Sequence, residues 1–283
     1  MPFPHWMRIT NNRTERKIGM ERKLGIELYC LPGVDKMTAL EKIKATGFET
    51  FFSGGESVES AVLLREKADA LGLTYDFIHA PFGGTNDLWL AGPAYYNLYQ
   101  RILSSIDAAA AAGVPTVVVH VTSGWWPPHI CDIGLSRFDG IVEHAIKKGV
   151  KIAFENIRKI GNLAAIMDRY ERVENVGFCF DNGHELCYTG NVKLLDLYGP
   201  RTLCTHIHDN NGRDKNDIWL DADYHLVPFD GCYDFADMMM RLDRDGYTGS
   251  LTMEINKKKP YDEMSDEAWL AMVYERLVKI SKM

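Results

Sequence analysis

The sequence predicts a single (β/α)8 barrel, a TIM barrel in which a closed parallel sheet is ringed by helices. Three observations carry that expectation. Short β-branched and aromatic runs alternate with longer segments of helical periodicity after residue 22. Eight such pairs fit, at roughly thirty residues per pair. No Pro/Gly/Ser-rich linker separates them, so 23–283 reads as one domain behind an N-terminal extension, 1–22. An open doubly wound sheet is the competing architecture, but no G-x-G-x-x-G follows the first strand.

The elements follow in order. The first strand is "KLGIELYC" (23–30), and the helix behind it, 37–47, has apolar spacing near 3.6 and stops on Gly47, a natural C-cap. Strand "FETFFSG" (48–54) precedes a helix over 60–72 ending on Gly72. Strand "TYDFIHAP" (74–81) precedes a long alanine-rich helix, 95–113, halted by Gly113 and Pro115. After "TVVVHVTS" (116–123), a helix over 136–149 is expected to start on Ser136 as its N-cap and end at Gly149. Strands "VKIAFEN" (150–156), "VGFCFDN" (176–182), "TLCTHIHDN" (202–210) and "SLTMEIN" (250–256) complete the sheet. Helices over 162–173, 191–199, 233–246 and 266–282 complete the outer layer. The extension is expected over the barrel bottom or at a subunit contact, which leaves a homo-oligomer open.

Composition narrows the function. The 46% hydrophobic content suits a globular chain with a sizeable core. No apolar run reaches the roughly 18 residues of a membrane span, and the start lacks a secretory h-region, so a cytoplasmic protein is expected. Six cysteines occur singly, with no C-x-x-C pair, and read as reduced packing thiols. A net charge of −7 argues against nucleic acid as a partner, because phosphate binding leaves a basic footprint.

In such a barrel the active site lies where the strands end. Strand three ends with His79, strand four with His120, strand five with Glu155 and strand six with Asp181, followed by His184. Strand seven carries His206 and His208, which alternation places on one face, and strand eight ends with Glu254. Asp223 and His225 stand between the last two strands. Six of the nine histidines fall in this set; His5, His129 and His144 do not. Buried carboxylates and imidazoles are costly unless paired or metal-bound, so their convergence points to a metal site. A carboxylate-rich set with imidazole and no thiolate suits Mn2+, Zn2+, Co2+ or Mg2+, Mn2+ above all.

"IHAPFG" (78–83), "FEN" (154–156), "FDNGH" (180–184), "HIHDN" (206–210) and "MEI" (253–255) together resemble the xylose isomerase-like barrels. That superfamily includes sugar (phosphate) isomerases and epimerases and the endonuclease IV type of apurinic-site nucleases. The resemblance covers nearly the whole chain after residue 22. It implies one divalent cation held by Glu155, Asp181, His208 and Glu254, with His208 preferred over its neighbour His206. It also matches His184 to a residue that touches substrate in epimerases and a second metal in the nucleases. His79, His120, Asp223 and His225 match the further ligands of the nucleases' three-zinc site. Two departures weigh against a third metal: Asn211 stands where many members have Asp, and "PFDG" replaces the common "GEG".

The chemistry so implied is proton transfer beside a carbonyl of a sugar, sugar phosphate or polyol, through a metal-stabilised enediolate. Glu155 and Glu254 are the expected bases; two on opposite faces permit epimerisation, and one suffices for an aldose–ketose shift. Arg213 is a candidate to orient a substrate oxygen or phosphate, Trp125 in "GWWPP" a candidate wall over a sugar face, and His79 a further candidate substrate contact. The lysines of "NKKKP" (256–260) read as a solvated run at the barrel mouth, with a phosphate site beside the last strands as the alternative. Two alternatives remain: phosphodiester hydrolysis at abasic DNA by a multi-zinc site, and a related lyase or dehydratase acting on a keto sugar or cyclitol.

Overall fold

The structure is a computed structural model that describes residues 21–190 and 192–283. Nearly all of the N-terminal extension therefore lies outside the described residues. Eight parallel strands run in the order β7-β6-β5-β4-β3-β2-β1-β8. They are β1 (Leu24–Glu27), β2 (Thr50–Ser53), β3 (Thr74–His79), β4 (Thr116–His120), β5 (Lys151–Glu155), β6 (Val176–Asp181), β7 (Thr202–His206) and β8 (Leu251–Met253). The two ends of the sheet meet where Ile207 N–H donates to Thr252 O (2.8 Å) and Glu254 N–H to Ile207 O (3.1 Å), closing the barrel. The expected strands are all present, each shorter than its apolar run.

The outer layer holds α1 (Lys36–Thr46), α2 (Val58–Leu71), α3 (Tyr96–Ala112), α4 (Asp132–Lys148) and α5 (Ile160–Arg169). It continues with α6 (Asn182–Tyr188), α7 (Leu194–Tyr198), α8 (Phe235–Arg244) and α9 (Asp266–Ile280). Helices α1 to α4 each stop at the expected glycine in left-handed backbone, as at Gly113 (φ 64°). Two expectations need correction. Helix α4 begins four residues before Ser136, with Cys131 as its N-cap. The extra turn is drawn in by packing: Gly134 lies under the Trp89 indole, where a Cβ would come within 2.1 Å of the ring. The short α6 is an addition the sequence pattern did not suggest.

Alternation sorts the strand residues into two cores. Phe51, Ile78, Val117, Val119, Ile152, Phe154, Phe178 and Phe180 face the helices. Phe52, Phe77, Val118, Ala153, Cys179 and Cys204 fill the barrel interior. Cys179 is thus a packing residue of the floor; burial pushes its thiol well above the ordinary range. All six cysteines are free. Among the described residues no helix is long and apolar enough to cross a membrane.

Candidate metal centre and active site

The Phe52 and Phe77 rings form the floor on which the site stands, and the His206 imidazole lies over both at centroid distances of 5.2 and 5.5 Å. His206 is fully buried at the end of β7. Its Nδ1 lies 3.4 Å from Glu155 Oε1, 3.3 Å from Glu254 Oε2 and 3.9 Å from Asp181 Oδ2. Yet neither ring nitrogen makes a hydrogen bond. Burial opposes a charge on this ring, but the Glu254 and Glu155 carboxylates outweigh it and raise its pKa to about 10.

Glu155 closes β5 and is enclosed by imidazoles. Its Oε2 lies 3.1 Å from His79 Nε2 and 3.0 Å from His120 Nε2, and its Oε1 lies 3.2 Å from His184 Nδ1. Burial raises its pKa, but the surrounding histidines win and hold it well below the carboxylate range. Asp181 closes β6 and caps α6 by accepting from His184 N (2.6 Å). Glu254, just past β8, is 18% exposed and is the most accessible of the three carboxylates.

The asparagines of the three motifs hold this cluster in register. Asn156 brackets the β5–β6 ends, donating to Asp181 O (2.7 Å) and accepting from Asp181 N (2.8 Å). Asn182 does the same for His208 O (2.8 Å) and His208 N (3.0 Å) across to β7. Asn210 accepts from Tyr224 N (2.6 Å) and donates to Asp223 Oδ1 (3.1 Å). The Asn156 and Asn182 pairs continue the sheet ladder past the last strand residue, where buried backbone groups would otherwise lack partners, and Asn210 ties the chain after β7 to the Asp223–Tyr224 loop. Asp209 gathers the following loop by accepting from the N–H groups of Asn210, Phe229, Gly231 and Tyr233 at 2.8–3.0 Å. His225 (φ 44°) and Phe229 (φ 74°) in that loop are held in left-handed backbone.

His208 sits apart from His206. Its Nε2 is 3.0–3.1 Å from both oxygens of Asp181, and its ring stacks on His225 at 3.9 Å. It also lies on Gly183, where a Cβ would come within 2.0 Å of the ring. Thus His206, and not the expected His208, faces Glu155 and Glu254 together.

Three other histidines share one pattern. His79, His184 and His225 donate from Nδ1 to the backbone carbonyls of Ala80 (2.9 Å), Asn156 (2.9 Å) and Glu254 (2.8 Å). Each then presents Nε2 to a carboxylate: His79 to Glu155, and His184 and His225 to Asp223 Oδ2 at 3.0 and 3.1 Å. Fixing Nδ1 on a carbonyl is how proteins orient metal-binding imidazoles. Burial raises the Asp223 carboxyl, but His184 and His225 overcome it and hold it well below its usual range.

Tested against a divalent cation, the residues fit: a buried imidazole whose nitrogens make no hydrogen bond converges with three carboxylates, a donor set suited to such an ion. Besides this group, His79–His120–Glu155 and His184–Asp223–His225 each bring three ligand atoms within 4.8 Å of one another.

A cavity of about 220 Å3 opens over these groups, with Arg158, Ile157 and Phe82 in its wall. Trp125 and Arg213 do not line it. Arg213 is exposed, stacks its guanidinium on Trp125 (4.9 Å) and donates to Ile218 O (3.0 Å). Trp125 stands behind the wall, edge-on to Tyr188 at 5.4 Å. Arg158, three residues past Glu155, takes the place expected of Arg213; its nearness to a strand-end carboxylate was the available signal. Glu27, the last residue of β1, also stands at the barrel mouth, and its place at a strand end was the available signal. Burial and the charge of Glu254 raise its carboxyl to about 7. Of the lysine run, Lys257 pairs with Asp266 (2.9 Å) and Lys258 donates to Tyr224 O (2.7 Å).

The family described as xylose isomerase-like TIM barrel matches residues 38–272. Among solved structures, a xylose isomerase domain protein from Planctomyces limnophilus has a TM-score of 0.73 at 18% identity, covering 94% of this chain and 98% of that one. D-psicose 3-epimerase from Clostridium cellulolyticum H10 has a TM-score of 0.71 at 15% identity, covering 92% and 98%. The 3-keto-D-glucoside 4-epimerase YcjR of E. coli also has 0.71, at 15% identity, covering 92% and 100%. At these identities the likeness is one of fold. An uncharacterized protein of Sinorhizobium fredii is 33% identical over 169 residues, 55% of this chain and 51% of that protein, so the chain spans about half the length of the curated relative it matches. The family match, running from α1 to α9, shows that this chain belongs to the xylose isomerase-like TIM barrel family.

Proposed function

We propose that the protein is a divalent-metal-dependent isomerase or epimerase acting on a sugar or related polyol. The observation that carries this reading is the hydrogen-bond-free His206 imidazole converging with Glu155, Asp181 and Glu254. His206 takes the ligand role in place of His208. Epimerases of ketoses and keto-glycosides among the structural neighbours support the same chemistry. When bound, the cation supplies Lewis acidity toward a substrate carbonyl and the adjacent hydroxyl. Glu254, open to the cavity, removes the proton from the carbon beside the carbonyl. His184 and Arg158, which line the cavity, orient substrate oxygens, and Phe82 limits water. Six free thiols fit a reducing compartment, which supports the cytoplasm as the location.

The test is elemental analysis followed by isotope exchange. Purified protein should carry at least one divalent metal per chain, with Mn2+ the first expectation, and His206→Ala or Asp181→Ala should lose it. The Mn2+-loaded enzyme, incubated with a panel of ketoses in D2O, should place deuterium beside the carbonyl. Metal-loaded protein that exchanges none of them would remove this reading.

A second reading is phosphodiester hydrolysis by a multinuclear centre. It is favoured by His79, His184 and His225, each fixed on a carbonyl and aimed at a carboxylate. Close to three zinc ions per chain, with chelator-sensitive nicking of abasic duplex DNA, would promote it over the first.

A further inference from the structure

Phe82 divides the barrel mouth. On the side away from Arg158 lies a second cavity of about 300 Å3, which shares His79, Phe82 and Glu254 with the first. Its own polar lining comes from Glu27, Tyr29 and Arg101. The two cavities therefore meet at the carboxylate that faces His206, and a substrate held there has room to extend in either direction.

The two spaces differ in what their polar groups are free to do. In the first cavity His79 and His120 are engaged with Glu155, His184 and His225 with Asp223, and Asp221 with Tyr188 and Arg158. In the second, the Tyr29 hydroxyl donates to Glu56, which also accepts from Lys36 (2.5 Å), so those groups are spoken for. Among the described residues, however, the Glu27 carboxyl makes no hydrogen bond, and the Arg101 guanidinium makes neither a hydrogen bond nor an ion pair. Glu27 lies deep, at the end of β1, and Arg101 lies at the solvent side, on α3.

A free guanidinium at the open end of a cavity presents donors in a fork that matches two oxygens of a carboxylate or phosphate. The deep end carries two carboxyl groups, Glu27 and Glu254, which favour hydroxyl donors and disfavour an anion. The polarity sets a direction: hydroxyl-bearing carbons inward, negative charge outward. Resting on the function proposed above, we propose that this cavity is a substrate subsite, that it takes the end of a polyol chain remote from the reacting carbons, and that this end bears a carboxylate or phosphate paired with Arg101. The substrate class is thereby an acidic sugar, either a sugar acid or a sugar phosphate.

Three unreactive probes test this by calorimetry on Mn2+-loaded enzyme dialysed free of excess metal: D-glucitol, D-gluconate and D-glucitol 6-phosphate. At least one anionic probe should bind about 10-fold or more tightly than glucitol, since a charge-assisted contact is worth that much. Whichever anion shows the preference identifies the source. Arg101→Ala should abolish the preference with metal content and glucitol affinity unchanged, and Arg101→Lys should restore part of it. Equal affinity for all three probes, or a preference that survives Arg101→Ala, overturns the subsite and leaves the metal-dependent polyol reading standing. Failure of every probe to bind the loaded enzyme removes both.

Discussion

Glu155 and Glu254 reach the same imidazole but are not equivalent as candidate bases. Glu155 is walled in by His79, His120, His184 and His206, and every oxygen has an imidazole neighbour. Glu254 borders both cavities. A glutamine at either position keeps one oxygen as a weak ligand but cannot take a proton. Glu254→Gln is therefore expected to retain metal and lose about 10²–10⁴ in turnover, together with solvent deuterium exchange at the carbon beside the carbonyl. Glu155→Gln should act mainly through metal content, with exchange recovering as Mn2+ is raised. Exchange at the wild-type rate in metal-replete Glu254→Gln would make that residue a ligand only and turn attention to His184. The choice between His206 and His208 shows what a strand pattern hides. Alternation puts both on one face, but β7 ends at His206, and the chain beyond it bends onto Gly183 and His225. Where a ladder stops is set by contacts distant in sequence, such as the Asn182 bracket, and no periodicity encodes it.

At the scale of elements, two polar fixtures hold pieces of the site's frame. Asp209 accepts four backbone N–H groups and so fixes the 229–233 loop, whose Gly231 leaves no room for a Cβ: one would come within 2.4 Å of Asn210 O. Asp209→Ala leaves one buried and three part-buried donors without their acceptor, at up to about 1–3 kcal/mol each before solvent access and relaxation. A loss of at least about 3 kcal/mol in chemical denaturation is expected, and a loss under 1 would show that the loop is held otherwise. On the outside, Asp139 on α4 accepts from Arg169 Nε (2.7 Å) on α5 and from the Tyr170 hydroxyl (2.8 Å). The Arg169 hydrogen bonds hold its pKa below the usual carboxylate value despite some burial. A depressed carboxyl stabilises above its unfolded pKa, near 4, and that contribution disappears as pH falls through the folded value. The pair is about one-third exposed, so screening limits it to about 0.5–1 kcal/mol. Asp139→Asn should cost that much at pH 7 and progressively less as pH falls below about 4, read from denaturation across that range. The order of the strands and the glycine stops were legible because each rests on local chemistry. The start of α4 was not, because the turn Asp132 through Leu135 is fixed by Trp89 packing against Gly134, a contact distant in sequence.

For the molecule as a whole, the barrel and the candidate centre are separable in energy. The large core lies between sheet and helices, the smaller one beneath the Phe52–Phe77 floor, and both are apolar. The acidic cluster stands above them and contributes little to the apolar burial that drives folding. Chelation should therefore leave the helical circular dichroism intact while lowering the thermal midpoint. A ligand present at a hundredfold over its Kd adds about 2.7 kcal/mol, which for a chain of this size is on the order of 5–10 °C. The two histidines of strand seven can be told apart on the same scale. His206→Ala deletes an imidazole whose nitrogens make no hydrogen bond, so the variant should fold and show no difference with and without chelator. His208→Ala removes a ring that bonds Asp181 and packs on His225. It should lower the midpoint in both conditions yet keep the metal-dependent increment. The opposite pattern, with the increment lost in His208→Ala and kept in His206→Ala, would return the ligand role to His208.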